Sequence, residues 1–272
     1  MNRACGGKIS IVSPLPQTTR NRVRGIMNAG GVQIVFIDTP GYHASERKFN
    51  RHLMGLVSST IAEADMVLYV VDGYRAFGVE ERELIGILTR AGKPTIIALN
   101  KEDLSGAFRE ACGKELKEAF PNVPLVSVSA LKGKGMEALI SVLADLAPEG
   151  DMMYPEDYYT DQTPDFRIGE IIREKAILHT REEVPHALYV KMEDLEFRGG
   201  GRVLSARGFI MVERESQKGI LVGKAGSVIK KIVKEAQAEL SKIFPYAVRL
   251  DLRVKVDKDW RKNDALVRKL FR

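Results

Sequence analysis

The sequence predicts an α/β domain built on a mostly parallel sheet, followed by a smaller α+β domain. Three observations predict this. Short apolar segments rich in β-branched residues alternate with amphipathic stretches through residues 1–148. A Pro-, Tyr- and Asp-rich stretch without period, residues 149–164, then breaks the pattern and reads as a linker. Beyond it the charge changes sign: residues 1–160 carry 18 basic and 19 acidic side chains, residues 161–272 carry 24 and 17.

In the first domain Val32–Ile37, Met66–Val71, Thr95–Leu99 and Leu125–Val128 read as strands buried on both faces, each bounded by Gly, Pro or Asp. Between them Val79–Ala91, Ala107–Phe120 and Gly135–Ala147 read as helices. Met136, Leu139, Ile140 and Leu143 of the last share one face. In the second domain, residues 165–272, Asp165–Leu178 reads as a helix entered through Pro164. His186–Phe197 and Arg202–Glu213 read as strands joined by an Arg-Gly-Gly-Gly turn. Ser227–Phe244 is an amphipathic helix with Val228, Ile229, Ile232, Val233, Ala236 and Leu240 on one side, and Val248–Val256 alternates as a strand.

Composition removes several classes. No apolar run approaches the ~18 residues of a membrane span. The N-terminus has no signal-peptide core. Cys5 and Cys112 show no pairing pattern, so a reducing cytosol is expected. His43, His52, His179 and His186 lack metal-ligand spacing, which argues against zinc. The basic excess of the C-terminal part points to a nucleic-acid or anionic-membrane surface there.

Ligands on parallel sheets bind at the carboxyl ends of strands, and three such loops carry matching chemistry. Asp38-Thr39-Pro40-Gly41 follows Ile37; an acidic residue there can hold magnesium, and Gly41 lets the backbone approach a phosphate. Asn100-Lys101-Glu102-Asp103 follows Leu99; its carboxylate can accept two hydrogen bonds from guanine that adenine cannot offer, while the Lys stem lies along the ring plane. Ser129-Ala130-Leu131 follows Val128 and can turn backbone N–H groups to the guanine carbonyl. Each alone is weak; their joint order is not.

These motifs resemble the translation-factor-type GTPases and, within them, the Era family. Pro16-Gln-Thr-Thr-Arg20 resembles the family's first switch segment, in which a threonine hydroxyl closes on magnesium; the resemblance implies Thr19 for that role, with Thr18 next. Tyr42 stands where Ras-like enzymes carry a water-orienting Gln and Era-like proteins a hydrophobic residue, so it is not a catalytic base. The family implies GTP/GDP and Mg2+ as cofactors, with Asp38 and Thr19 at the metal.

No Gly-x-x-x-x-Gly-Lys-[Ser/Thr] occurs in the chain, and Gly6-Gly-Lys-Ile-Ser10 lacks both the upstream strand and the first glycine. The resemblance places Met1–Ala4 on the helix that follows the phosphate loop, so the first strand and that loop are missing. The loop's backbone N–H groups, Lys and Ser/Thr supply most of the grip on a polyphosphate. The expectation is therefore that this polypeptide binds GTP poorly and is inactive as written. Two accounts stay open: a native product that starts upstream, or a non-hydrolysing RNA-binding protein with a degenerate G domain.

In the second domain Gly223-Lys224-Ala225-Gly226 lies between apolar Ile220-Leu221-Val222 and the amphipathic helix that carries Lys230. Two glycines admit a nucleic-acid backbone, and the helix start offers N–H groups to phosphate. With its helix–strand–strand–helix–helix–strand order the domain resembles the type-2 KH fold, which implies that Ile220–Gly226 and Lys230 bind single-stranded RNA. The overall resemblance implies an Era-like GTPase domain followed by a KH domain. It further implies binding of small-subunit ribosomal RNA and of the small ribosomal subunit, whose assembly such a protein assists. The chain is expected to be a cytoplasmic monomer with peripheral contact to the cytoplasmic face of the membrane.

Overall fold

A computed structural model describes residues 1–16, 18–42 and 48–271. Gln17 of the switch segment and His43 lie outside the described residues. The chain forms two compact units: Met1–Gly7 with Arg20–Thr160, and Lys8–Thr19 with Asp161–Arg272.

The first unit runs β1 (Val23–Ala29), β2 (Val32–Asp38), α1 (Lys48–Glu63), β3 (Val67–Asp72), α2 (Val79–Ala91), β4 (Thr95–Asn100), α3 (Arg109–Ala119), β5 (Leu125–Ser127) and α4 (Met136–Leu146). β3, β4 and β5 form a parallel sheet in that order. Its central strand is buried on both faces, which is why it reads as an unbroken apolar run. Ile97 and Leu99 pack with Tyr69, Val71, Leu88 and Leu116 on one side. Ile96 and Ala98 pack with Val128, Leu139 and Leu143 on the other. β1 and β2 form a separate antiparallel hairpin turning at Gly30 and Gly31, both at positive φ. No ladder joins the hairpin to β3 among the described residues. The sheet is thus interrupted between β2 and β3, and Val70 on β3 is 55% exposed.

Two expectations change here. Met1–Ala4 form turns, not helix: Cys5 N–H reaches Met1 O, but Gly7 N–H bonds Asn2 O and Gly6 takes φ +68, so no second α-type turn follows. Residues 149–164 are more than a tether. Gln33 accepts from the Met153 and Tyr154 N–H groups, Asn28 donates to Glu156 O, and Ile26 N–H donates to Tyr159 O, so the stretch is laced along the hairpin. Its backbone polar groups find partners there, which a free linker lacks.

The second unit runs α5 (Pro164–Leu178), α6 (Val184–Ala187), β6 (Tyr189–Arg198), β7 (Val203–Val212), α7 (Glu215–Val222), α8 (Ser227–Ile243), β8 (Ala247–Val256) and α9 (Asp264–Leu270). β7 lies between antiparallel β6 and parallel β8. Residues 186 and 187, expected in the first strand, belong to α6. The core joins Ile168, Ile172 and Ala176 of α5 to Ile232, Ala236 and Leu240 of α8 across the inner sheet face of Leu204, Ile210 and Val254. Ile11 belongs to this same core, and Leu15 packs against it.

Lys8, Val12 and Thr18, which sequence order assigns to the first domain, are held by buried side chains of α5. Glu174 accepts from the Val12 N–H at 2.8 Å and from Lys8 Nζ at 2.6 Å. Arg167 donates to Lys8 O at 3.0 Å, and Arg173 donates to Thr18 O at 2.6 Å. Lys175 bridges Glu174 (2.8 Å) to Glu239 of α8 (2.6 Å).

Candidate nucleotide and nucleic-acid sites

The parallel register sets Asp72 opposite Asn100, so β3 and β4 end level. Beyond them Asn100–Asp103 and Ser129–Leu131 close into one corner. Asn100 Oδ1 accepts from the Ala130 N–H at 3.0 Å. The Ser129 hydroxyl, fully buried, donates to Asp103 Oδ1 at 2.5 Å and accepts from the Lys132 N–H at 3.1 Å. The Glu102 N–H donates to Val128 O at 3.0 Å, and the Glu102 carboxylate takes Lys134 Nζ at 3.1 Å. Leu131 projects outward, 78% exposed. The Ser129 hydrogen bond holds the exposed Asp103 carboxyl below its usual pKa. A carboxylate anchored through one oxygen, beside an amide anchored through its own, is a fixed acceptor for a pair of N–H donors. These residues fit a guanine base. Gly135 makes the corner possible: it sits at φ +73, and a Cβ there would meet Ser127 O at 2.2 Å.

Sequence reasoning missed two groups that support this corner. Arg109 donates to Leu99 O at 3.0 Å and to Asn100 O at 3.1 Å, satisfying the last carbonyls of β4. No local motif announces it. Asp72 accepts Lys101 Nζ at 2.7 Å, and it carried the same signal as Asp38, an acid closing a buried strand.

Asp38 ends β2, followed by Thr39, buried Pro40, and Gly41, where a Cβ would meet nothing within 4 Å. The space above Gly41 is open, as a phosphate contact requires. Tyr42 donates to Glu83 Oε2 of α2 at 3.0 Å. Burial, then the Glu83 carboxylate, raises its phenol above the ordinary value, so it keeps its proton. Thr18 and Thr19 belong to the second unit and Asp38 to the first. The Thr18 hydroxyl is occupied locally, donating to Leu15 O at 2.7 Å and lying 2.5 Å from Ser13 Oγ. Among the described residues no group of three or more His, Cys, Asp or Glu could hold a metal ion. The Asp38 carboxylate and the open approach over Gly41 are of the donor and backbone type that a magnesium–phosphate group takes.

In the second unit α7 ends at Gly223, with φ +71 and ψ 171. That is a backbone region open essentially to glycine, and a Cβ there would lie 2.6 Å from Val228 Cγ2. Lys224–Gly226 make a single 3-10 turn, Ala225 takes φ +52, and Gly226 starts α8 at φ +76. Lys230 Nζ reaches back to Ala225 O at 3.3 Å. Ile220 is 49% exposed beside this turn, Val222 half-buried and Lys224 exposed. Leu221 is 0% exposed in the core, so its side chain is unavailable to a ligand. Helical period explains this: Leu221 faces the core, Val222 packs at its edge and Ile220 points away.

A sequence-family model described as a 50S ribosome-binding GTPase matches residues 1–101, and one described as a KH domain matches residues 183–261. GTPase Era of Treponema denticola is 50% identical over 273 residues, covering 99% of this chain and 93% of that protein. GTPase Era of Borreliella burgdorferi is 42% identical over 272 residues, covering 100% and 93%. Among solved structures, an Aquifex aeolicus Era variant bound to GDP.AlF4− superposes with a TM-score of 0.93 at 34% identity, covering 99% of this chain and 92% of that one. An Era structure in complex with MgGDPNP and nucleotides 1506–1542 of 16S ribosomal RNA gives 0.92 at the same identity and coverage. With an interrupted GTPase sheet, a corner built from Asn100–Asp103 and Ser129–Leu131, and a KH unit with its glycine turn, the chain belongs to the Era family of GTPases.

Proposed function

We propose that this chain binds guanine through Asn100, Lys101, Asp103, Ser129 and Ala130, and binds single-stranded ribosomal RNA of the small subunit through Gly223–Gly226, Ile220, Val222 and Lys230. The observation that carries the reading is the corner itself: the Asn100 amide and the Asp103 carboxylate, separated in sequence from Ser129 and Ala130, are fixed by them at 3.0 and 2.5 Å. An Era structure solved with MgGDPNP and nucleotides 1506–1542 of 16S ribosomal RNA supports both halves. In this reading Asp38 would hold Mg2+, which supplies charge neutralisation at phosphate. The chain's own residues orient the base and select it.

Because the sequence holds no phosphate-cradling Gly-x-x-x-x-Gly-Lys-[Ser/Thr], this polypeptide is expected to hold GTP weakly, and no hydrolytic step is assigned to it. The alternative reading is a non-hydrolysing RNA-binding protein with a degenerate G domain. Titration with GDP and ADP, followed by chemical shifts of residues 100–103 and 129–131, tests both. The expected result is a guanine-selective response with millimolar saturation. Asp103→Asn should erase the selectivity, because an amide offers a donor where guanine also offers one; a site that hydrogen-bonds its ligand rejects a mismatch by about 1–3 kcal/mol per unpaired buried group. Micromolar binding of GTP would overturn the weak-binding reading. Equal responses to both nucleotides would overturn the base assignment. No described helix is long and apolar enough to cross a membrane. Sedimentation and vesicle flotation test the further proposals of a monomer and of peripheral membrane contact.

A further inference from the structure

Lys101 takes φ +61, one of four non-glycine residues in the left-handed region among those described. For a side-chain-bearing residue that region is strained, and such outliers persist only where the surroundings over-determine them. The surroundings here converge on Asp72. Its Oδ2 accepts Lys101 Nζ at 2.7 Å, and its Oδ1 accepts the Tyr74 N–H at 3.0 Å, which fixes the carboxylate. Arg75 Nε stands 3.5 Å from the same Oδ2. Next in the chain, Gly73 donates its N–H to Asn100 O at 3.2 Å. A Cβ on Gly73 would meet that oxygen at 2.9 Å and Arg109 Nη1 at 2.8 Å. The end of β3 is thus shaped to grip the end of β4 through one side chain and one bare backbone.

We propose that Asp72 is a positioning residue of the base corner. It holds the Lys101 ammonium, and through it the left-handed backbone that lets Asn100 and Asp103 present their side chains from a single turn. The inference deepens the guanine reading and rests on it only for the identity of the ligand.

The test uses the full chain without nucleotide. Amide hydrogen exchange is read at Glu102, Leu104 and Ala130, whose N–H groups bond to Val128 O, Lys101 O and Asn100 Oδ1, with Ile97 in mid-strand as the control. Asp72 and Lys101 side chains are 29% and 41% exposed, so the pair is screened and the expected effect is modest. Asp72→Asn should speed exchange at the three corner amides about two- to fivefold and leave Ile97 unchanged. Lys101→Met should do the same, and the double variant should add nothing further. Asp72→Glu, which keeps the carboxylate, should restore most of the protection. Unchanged corner amides in Asp72→Asn, or equal acceleration at Ile97, would overturn the proposal. GDP against ADP titration of the same variants separates the two ideas. Corner loosening in Asp72→Asn with no guanine preference in the parent would leave the positioning role standing and remove the guanine reading.

Discussion

Replacing Glu174 by Ala is expected to destabilise the second unit by about 3 kcal/mol, the low end of the range for removing one partner of a buried ion pair. The side chain is 4% exposed and satisfies three donors: Lys8 Nζ, Lys175 Nζ and the Val12 N–H. Glu239 still holds both lysines, at 3.3 and 2.6 Å, which keeps the loss from being larger. The Val12 N–H loses its acceptor outright. Glu174→Gln keeps the volume and one acceptor and should lose about half as much. Trp260 is the sole tryptophan, 1% exposed, and its Nε1–H donates to Ala187 O at 2.8 Å. Its fluorescence during urea unfolding of the full chain therefore reports this unit alone.

The same network sets a pH signature. Burial opposes the charge on Lys175, but its hydrogen bonds to Glu174 and Glu239 outweigh that and raise its pKa. Burial likewise opposes the Glu239 charge, and Lys175 and Lys8 outweigh it and lower its pKa. A carboxyl lowered on folding stabilises above its unfolded value, about 4.3, and loses that contribution as pH falls through the folded value. An ammonium raised on folding stabilises below about 10.4 and loses it as pH rises through its folded value. The network's contribution is therefore flat through neutrality and declines at both extremes. A parent whose stability matches Glu174→Ala at pH 7 would remove this account.

Gly226→Asp should weaken single-stranded RNA binding about 10- to 100-fold, that is about 1.4–2.8 kcal/mol, while costing the fold only about 1 kcal/mol. At φ +76 a side chain is strained, but a Cβ would meet only Lys230 Cε at 3.7 Å and Ile229 Cγ2 at 4.0 Å. The loss should come from the carboxylate placed where phosphate approaches the start of α8. Gly223 makes a poorer probe. Its backbone region and the 2.6 Å approach to Val228 mean that even Gly223→Ala disturbs the α7–α8 junction. Anisotropy of a labelled single-stranded ribosomal RNA probe, beside a thermal melt, separates the two effects. Full RNA affinity in a folded Gly226→Asp protein would place the nucleic-acid surface elsewhere.

The strands of the central sheet were legible because burial on both faces demands apolar, β-branched runs. The corner was legible because polar loops directly follow those runs. β1 was missed: Val23–Ala29 mixes Arg24, Gly25 and Asn28 into the strand, and only pairing with β2 makes it one. α1 was missed because Arg51, His52 and Ser58 interrupt its apolar residues, of which Leu53 and Val57 are buried. The segment around Ile9 and Ile11 reads as apolar, yet its partner lies more than 150 residues away on α5. No local pattern encodes that pairing.

Residue order alone settled the strands β3–β5, the helices α2–α5 and α8, the polar loops that follow those strands, and the glycine turn that opens α8, since these depend on periodicity and on the φ that glycine permits. Only the folded molecule decided that Lys8–Thr19 belong with the KH unit, that Leu221 is core and Ile220 surface, and that Asp72 grips Lys101. Those outcomes depend on which buried charges and carbonyls find one another across distant stretches of chain, and that is fixed by packing.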